Sequence, residues 1–274
     1  MGLMDNSAIY VDASLEEPRL HALKRGTAAV YTHRGPHKET ANEDSVAVIS
    51  TPDGATVLAV ADGLGGMPSG DLASALTIQS LATSVQNAKE NSLREAILDG
   101  IELANHKILT LGNGAAATLA VVEVRNDILR TYHVGDAGVL ITGQRGRLHL
   151  QTVPHSPTGY AQEAGVINEA EALDHEQRNL VSNVVGSHEL RIEIGSLFRL
   201  APRDTIVVAS DGLFDNFLSE EIIEHIRCGK LYQTAYALVV ELNARMEGRN
   251  SENVGGHPDD VSFILYRPCV AFES

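Results

Sequence analysis

The sequence predicts an α+β fold in which two packed, mainly antiparallel β-sheets are flanked by α-helices, a four-layer αββα sandwich. Short β-branched apolar stretches recur along the chain and are joined by tight turns. Two pairs of long helical patterns interrupt them, one pair after a first set of strands and the other before the last strand.

The strand-like stretches are 27–31, 45–50, 56–61, 118–124, 128–134, 138–142 and 147–152, then 190–194, 205–209 and 261–266. Their connections include TPDG at 51–54, RND at 125–127, GDAG at 135–138 and GQRG at 143–146. Loops this short make antiparallel hairpins, because a parallel crossover needs about a dozen residues or more. A doubly wound nucleotide-binding domain is therefore excluded. The helical patterns run over 69–88 and 92–111, with Leu72, Ala75, Leu76, Ile78 and Leu81 along one face, and over 219–227 and 231–245. Residues 154–186 differ: Pro154, Pro157 and three glycines leave a short helical piece near 162–164 in a flap-like excursion. No linker divides the chain, so one domain over 1–274 is expected.

The chain of 274 residues carries a formal charge of −15, which argues against nonspecific attraction to nucleic acid or to an anionic membrane surface. No apolar run reaches the roughly 18 residues of a membrane span, and the N-terminus lacks the basic and apolar halves of a signal peptide. Asn6 stands where a myristoylation motif needs Ser or Thr. Cys228 and Cys269 form no CxxC or Cys/His pattern and read as plain thiols of a reducing compartment. A cytoplasmic monomer is the expectation.

The chemistry lies in the acidic residues that border the apolar strands. VLAVA ends in Asp62-Gly63, TYHVG in Asp136-Ala137 and IVVAS in Asp211-Gly212, while Glu43-Asp44 and Asp259-Asp260 each open a strand. Taken singly, an Asp-Gly pair marks a turn. The shared position at the ends of apolar runs needs a further reason. Carboxylates drawn together resist ionisation unless cations offset their charge, and hard oxygen donors suit Mg²⁺ or Mn²⁺. Glycines in 63–66, ahead of Pro68, let the backbone bring a carbonyl near such an ion. Neither GxGxxG nor GK[ST] is present, so a nucleotide cradle has little support.

The blocks RGPHKETANEDS, VADGLGGMPSGDLAS, AAATLAVV, HVGDAGVLI, ASDGLFD and HPDDVSFIL, in this order over about 27–267, resemble the type 2C, metal-dependent serine/threonine protein phosphatases (the PPM family) in their bacterial stand-alone form. The resemblance implies a helix-flanked β-sandwich that hydrolyses phosphoserine and phosphothreonine on proteins, with the attacking water activated between two Mn²⁺ or Mg²⁺ ions. It makes Asp62 the bridging ligand, with the Gly63 carbonyl on one ion and Asp211 and Asp259 completing the other. Glu43 and Asp44 match an acidic pair that binds directly or through water, and Asp136 and Asp215, with Asp211, match a third, looser site. The excursion at 154–186 matches a flap that affects substrate access.

Three departures stand out. Where the family carries a phosphate-holding arginine this chain has Glu39, which leaves Lys38, Arg34 and His37 as candidates for the substrate phosphate. The final motif is Asp259-Asp260 rather than Asp-Asn, and Ala137 replaces a serine. A proton for the leaving oxygen points to His155 or His37. No CxxxxxR-type nucleophilic loop is present. Two other readings compete: a metal-binding relative that acts in signalling by recognition, motivated by Glu39, and a phosphatase of small molecules.

Overall fold

The computed structural model describes residues 7–64, 69–89, 92–249 and 256–269. In chain order its elements are β1 (Ala8–Val11), β2 (Arg19–Leu23), β3 (Gly26–His33), β4 (Asp44–Ser50), β5 (Thr56–Gly63), α1 (Gly70–Gln86), α2 (Leu93–Leu111), β6 (Ala117–Arg125), β7 (Ile128–Val134), β8 (Gly138–Thr142) and β9 (Leu148–Gln151). There follow α3 (Pro157–Glu163), α4 (Glu169–Leu173), β10 (Glu193–Ile194), β11 (Phe198–Arg199), β12 (Thr205–Ala209), α5 (Asp211–Phe214), α6 (Ser219–Ile226), α7 (Leu231–Met246) and β13 (Val261–Pro268).

Two sheets form the centre. One runs β1-β4-β5-β6-β7-β10, with β11 also on β7, and the other runs β2-β3-β13-β12-β8-β9. Every strand pairing described is antiparallel, as the short turns require.

The central strands are buried on both faces, and their side chains sort by alternation. In β5, Leu58 and Val60 enter the core between the sheets, while Val57, Ala59 and Ala61 meet α1 and α2. In β13, Ile264 and Tyr266 face the other sheet, whereas Val261, Phe263 and Leu265 meet α6 and α7. Three apolar cores thus separate four layers, which is why the central strands read as continuous apolar runs.

Several expectations change at the margins. Of the strand read at 190–194, only Glu193–Ile194 is paired, because β10 is a short edge on β7. The strands β1, β2 and β11 lie outside the sequence expectation. Helix α1 begins at Gly70, and residues 65–68, which hold part of the glycine cluster and Pro68, lie outside the described residues. The 154–186 excursion contains two short capped helices. Ser156 accepts the Gly159 N–H at 3.0 Å with Pro157 in the first turn of α3, and Asn168 with Glu171 forms a capping box on α4.

The layer between the sheets is the interior on which both depend. Truncating Ile264 to Ala, at a fully buried site, is expected to cost about 2–5 kcal/mol, read as a fall in urea midpoint with unchanged slope.

Candidate active site

Strand register brings the acidic residues to one end of the sandwich. Asp44 opens β4 and Asp62 closes β5, and the two are direct cross-strand partners. Asp136 lies in the turn between β7 and β8, and Asp211 follows β12 at the start of α5 with Asp215 one turn later. Asp259 precedes β13 and is the exposed member of the set.

Their electrostatics show mutual crowding. Asp62 and Asp211 lie close enough for each to perturb the other's titration. Desolvation, then Asp211 and Asp44, hold the Asp62 carboxyl well above the ordinary carboxylate range. Burial and then Asp260 do the same to Asp44, and burial with Asp211 and Asp136 does so to Asp215. Asp136 and Asp211 are each pushed up to about 6, chiefly by desolvation. One oxygen of Asp44 and one of Asp136 are buried without a hydrogen-bond partner. Buried carboxylate oxygens without donors are costly, and a divalent cation satisfies all of these features together. The donor set is all oxygen and fits Mg²⁺ or Mn²⁺.

Close backbone packing holds this geometry. A Cβ on Gly63 would lie 2.1 Å from the Gly70 carbonyl oxygen, and one on Gly212 would lie 2.0 Å from that of Asp260. Only glycine fits at either position. Gly63 also donates its N–H to the Glu43 carbonyl at 3.1 Å, which seats the first acidic motif on β5.

The two sheets are cross-linked at the site. The Ser210 hydroxyl donates to Asp44 Oδ2 at 2.8 Å, and the Asn42 side chain accepts the Asp44 N–H at 2.9 Å. Asp260 is 4% exposed; its Oδ1 accepts Gly35 N–H at 2.8 Å, and its Oδ2 accepts Glu43 N–H at 2.6 Å and Lys38 Nζ at 2.5 Å. Lys38 Nζ also donates to Glu43 Oε2 at 2.7 Å. Burial lowers the lysine pKa, but the bonds to Asp260 and Glu43 outweigh it and the net shift is upward. The loop before Asp259 hangs on Asn216, which accepts the N–H groups of Gly256 and His257 and donates to the Gly212 and His257 carbonyls. The buried Arg245 in turn bonds the Asn216 carbonyl at 2.7 Å.

The phosphate candidates therefore find other employment. Lys38 is held between two carboxylates, and Glu39 is exposed. Arg34 and His37 are exposed, and among the described residues no ion pair joins either to the acidic set.

His155 is a brace. Its Nδ1 accepts the Gly135 N–H at 3.1 Å and faces the Asn183 amide at 2.9 Å, which assigns the ring proton to Nε2, directed at Glu193 Oε2 3.1 Å away. His133, stacked on it at 4.4 Å, directs Nε2 to the Val153 carbonyl at 3.1 Å, and its pKa is lowered by burial and by His155. His133, His155 and Glu193 are near enough to hold a metal, but a protonated Nε2 on His155 has no lone pair to give.

A cavity of about 270 Å³ opens beside the acidic set, with Asp136, Asp211, Asp215 and Phe214 on one wall and Ser156, Glu169 and Arg178 of the excursion on the other. Arg178 Nε stands 3.8 Å from Asp215 Oδ2. Sequence reasoning passed over Arg178, Asn216 and Asn183, none of which lies in an apolar pattern with an acidic end, and Ser210, which ends the run before Asp211 but carries no charge to mark it.

Carboxyl groups with folded pKa values above the ordinary 3.8 bind more protons folded than unfolded, so folding of the metal-free protein weakens as pH rises through that interval. Thermal melts without metal should fall in midpoint between about pH 4 and 6, and saturating Mn²⁺ should flatten or reverse the trend. Lys38→Met leaves Asp260 buried and uncompensated. It is expected to cost on the order of 3 kcal/mol in urea unfolding, with part of the loss recovered by adding Asp260→Asn.

The protein phosphatase 2C family model matches residues 33–242. Protein phosphatase PhpP of Streptococcus pneumoniae is 30% identical over 195 residues, covering 68% of this chain and 78% of the relative. Serine/threonine protein phosphatase PstP of Mycobacterium tuberculosis is 28% identical over 231 residues, covering 82% of this chain and 41% of that longer protein. Among solved structures, the serine/threonine phosphatase of S. agalactiae has a TM-score of 0.75 at 26% identity, covering 88% of this chain and 98% of the other. The catalytic domain of PstP in complex with two manganese ions shares the fold, with a TM-score of 0.70 at 23% identity and coverage of 90% and 99%. With three quarters of its length matched and its acidic strand ends gathered in one place, this chain belongs to the protein phosphatase 2C family.

Proposed function

We propose that the chain is a metal-dependent protein phosphatase that hydrolyses phosphoserine and phosphothreonine, with two Mn²⁺ or Mg²⁺ ions held by Asp62, the Gly63 carbonyl, Asp211 and Asp259. Asp44 and Asp136 support the set through their unpartnered oxygens, and Asp215 with Asp136 and Asp211 suits a third, weaker site. Glu43 is turned to Lys38 and acts through water or by holding the loop. The observation that carries the reading is the convergence of buried carboxyls, two of them with bare oxygens, at one end of the sandwich, with Asp136, Asp211 and Asp215 of that set on the wall of a cavity able to admit a phosphoryl group.

Bound divalent ions supply the Lewis acidity that lowers the pKa of water and neutralises charge on the phosphoryl oxygens during in-line displacement. The chain supplies position. Strands buried on both faces fix Asp44 and Asp62, the Ser210 hydroxyl on Asp44 joins the sheets, and the cavity walls restrict the angle of approach. Water adds to phosphorus and the serine or threonine oxygen departs with a proton, giving the alcohol and inorganic phosphate. Neither cysteine lines the cavity, so no cysteinyl-phosphate intermediate is invoked.

Both thiols are free and exposed, which suits a reducing compartment and supports a cytoplasmic enzyme. No described helix is long and apolar enough to cross a membrane.

The test is phosphate release from phosphoserine peptides with Mn²⁺, beside titration calorimetry of Mn²⁺ itself. Asp62→Asn should lower kcat at least about hundredfold, or 2.7 kcal/mol, and weaken Mn²⁺ binding. Unaltered turnover in that variant, or a wild type inactive with every divalent ion, sinks the proposal.

A further inference from the structure

We propose that Arg178, carried between α4 and β10, grips the substrate phosphate, the task left open by Glu39 and by the engagement of Lys38. The inference rests on the phosphatase reading above.

Charge is the first argument. A phosphomonoester dianion that enters the cavity meets Asp136, Asp211 and Asp215 on one wall and Glu163 and Glu169 on the other, and Arg178 is the one cation among the described lining residues. Ions held by the aspartates neutralise the first wall. On the second, only the guanidinium attracts the phosphoryl oxygens. Lys38 does not substitute for it, since Asp260 and Glu43 hold its ammonium at 2.5 and 2.7 Å.

Geometry is the second. Arg178 Nε is buried and lacks a hydrogen-bond partner, and its distance of 3.8 Å from Asp215 Oδ2 is that of an ion pair too long for a hydrogen bond. A buried donor left unmade costs on the order of 1–3 kcal/mol, and a phosphate oxygen removes that cost. The guanidinium edge offers parallel N–H groups that match phosphate oxygens two at a time, which an ammonium cannot do. Asp215 is a resting partner for the charge, aiming it at the acidic wall where the phosphoryl group must lie.

Support for the position is the third. The Arg178 N–H bonds the His175 carbonyl at 3.1 Å, so the residue sits in a defined turn rather than on a free tail. Below it, Glu169 Oε1 accepts the Ser219 N–H at 2.8 Å and its hydroxyl at 2.5 Å, which ties α4 to the start of α6. Beyond it, Asn183 is pinned to His155 and to both backbone groups of Arg191. The segment that bears the arginine is thus fastened on either side.

The experiment uses Mn²⁺-loaded protein and inorganic phosphate. Titration calorimetry gives phosphate affinity independently of turnover, and steady-state assays on a phosphoserine peptide give KM and the phosphate Ki. For Arg178→Gln, phosphate Kd, Ki and peptide KM should each rise about ten- to hundredfold, with Mn²⁺ affinity and melting temperature near wild type. Arg178→Lys should recover part of the loss, as a point charge replaces a fork. Lys38→Met, compared where it remains folded, should leave phosphate affinity within about threefold. Phosphate binding by Arg178→Gln equal to wild type overturns the proposal, as does a loss confined to Lys38→Met. If Arg178→Gln unfolds, Arg178→Lys decides alone, and wild-type phosphate affinity in it is the overturning result. Binding that depends on Arg178 in a protein that releases no phosphate from any peptide would instead sink the phosphatase reading and leave the anion site standing.

Discussion

The structure depends on holding charges of one sign together inside protein. Asp44, Asp62, Asp136, Asp211 and Asp215 converge from both sheets and their adjoining turns, and each carboxyl is shifted upward by burial and by its neighbours. Such a cluster opposes folding unless protons or cations compensate it. The sandwich resists this with stiffness. Its strands are buried on both faces, so a carboxylate at a strand end cannot retreat without disturbing two cores. Cross-links sit where repulsion is greatest: Ser210 on Asp44, and Lys38 with the N–H groups of Gly35 and Glu43 on Asp260. Metal affinity, proton uptake and fold stability are consequently aspects of one balance.

Burial on both faces is also why so much of the fold was legible. The runs 56–61, 118–124 and 205–209 announce themselves because every side chain but Glu123 is apolar or small, and short turns between neighbours dictate antiparallel pairing. The edge strands β1, β2, β10 and β11 have mixed exposure and two to five residues each, too few for a period to show. The acidic set was legible for the same reason as the strands, since an aspartate that ends an apolar run is conspicuous. Ser210, Asn216 and Arg178 are not. Their importance lies in partners such as Asp44, His257 and Asp215, reached only through the folded chain, and no local pattern encodes those pairings.

Two of the departures from the family pattern, Glu39 and Asp260, become related once Lys38 is placed. An asparagine at 260 has a carbonyl oxygen for the Gly35 or Glu43 N–H but no charge for Lys38. An aspartate there accepts both N–H groups and neutralises the lysine as well. The additional negative charge is thus answered locally, which is why it can stand beside the crowded carboxyls of the acidic set. The lysine so used is withdrawn from the substrate, and Glu39, exposed, takes no part in the cluster.

The grip on the phosphate then shifts across the cavity, from the loop before β4 to the segment between α4 and β10. A cation on the early loop would share one framework with the acidic set, because Glu43 and Asp44 directly continue it. Arg178 belongs to a different framework, fastened through Glu169 to α6 and through Asn183 and His155 to Gly135. Those fastenings set how near the guanidinium comes to Asp215 and hence how wide the cavity stands. Substrate affinity and the seating of this segment become one variable: any contact that draws the segment inward also brings the arginine to the phosphoryl oxygens, and a bound phosphate holds the segment in place. Because Gly135 joins Asp136 directly to the His155 brace, the same fastening reaches a carboxyl on the opposite wall, so the two walls of the cavity are mechanically joined at that turn.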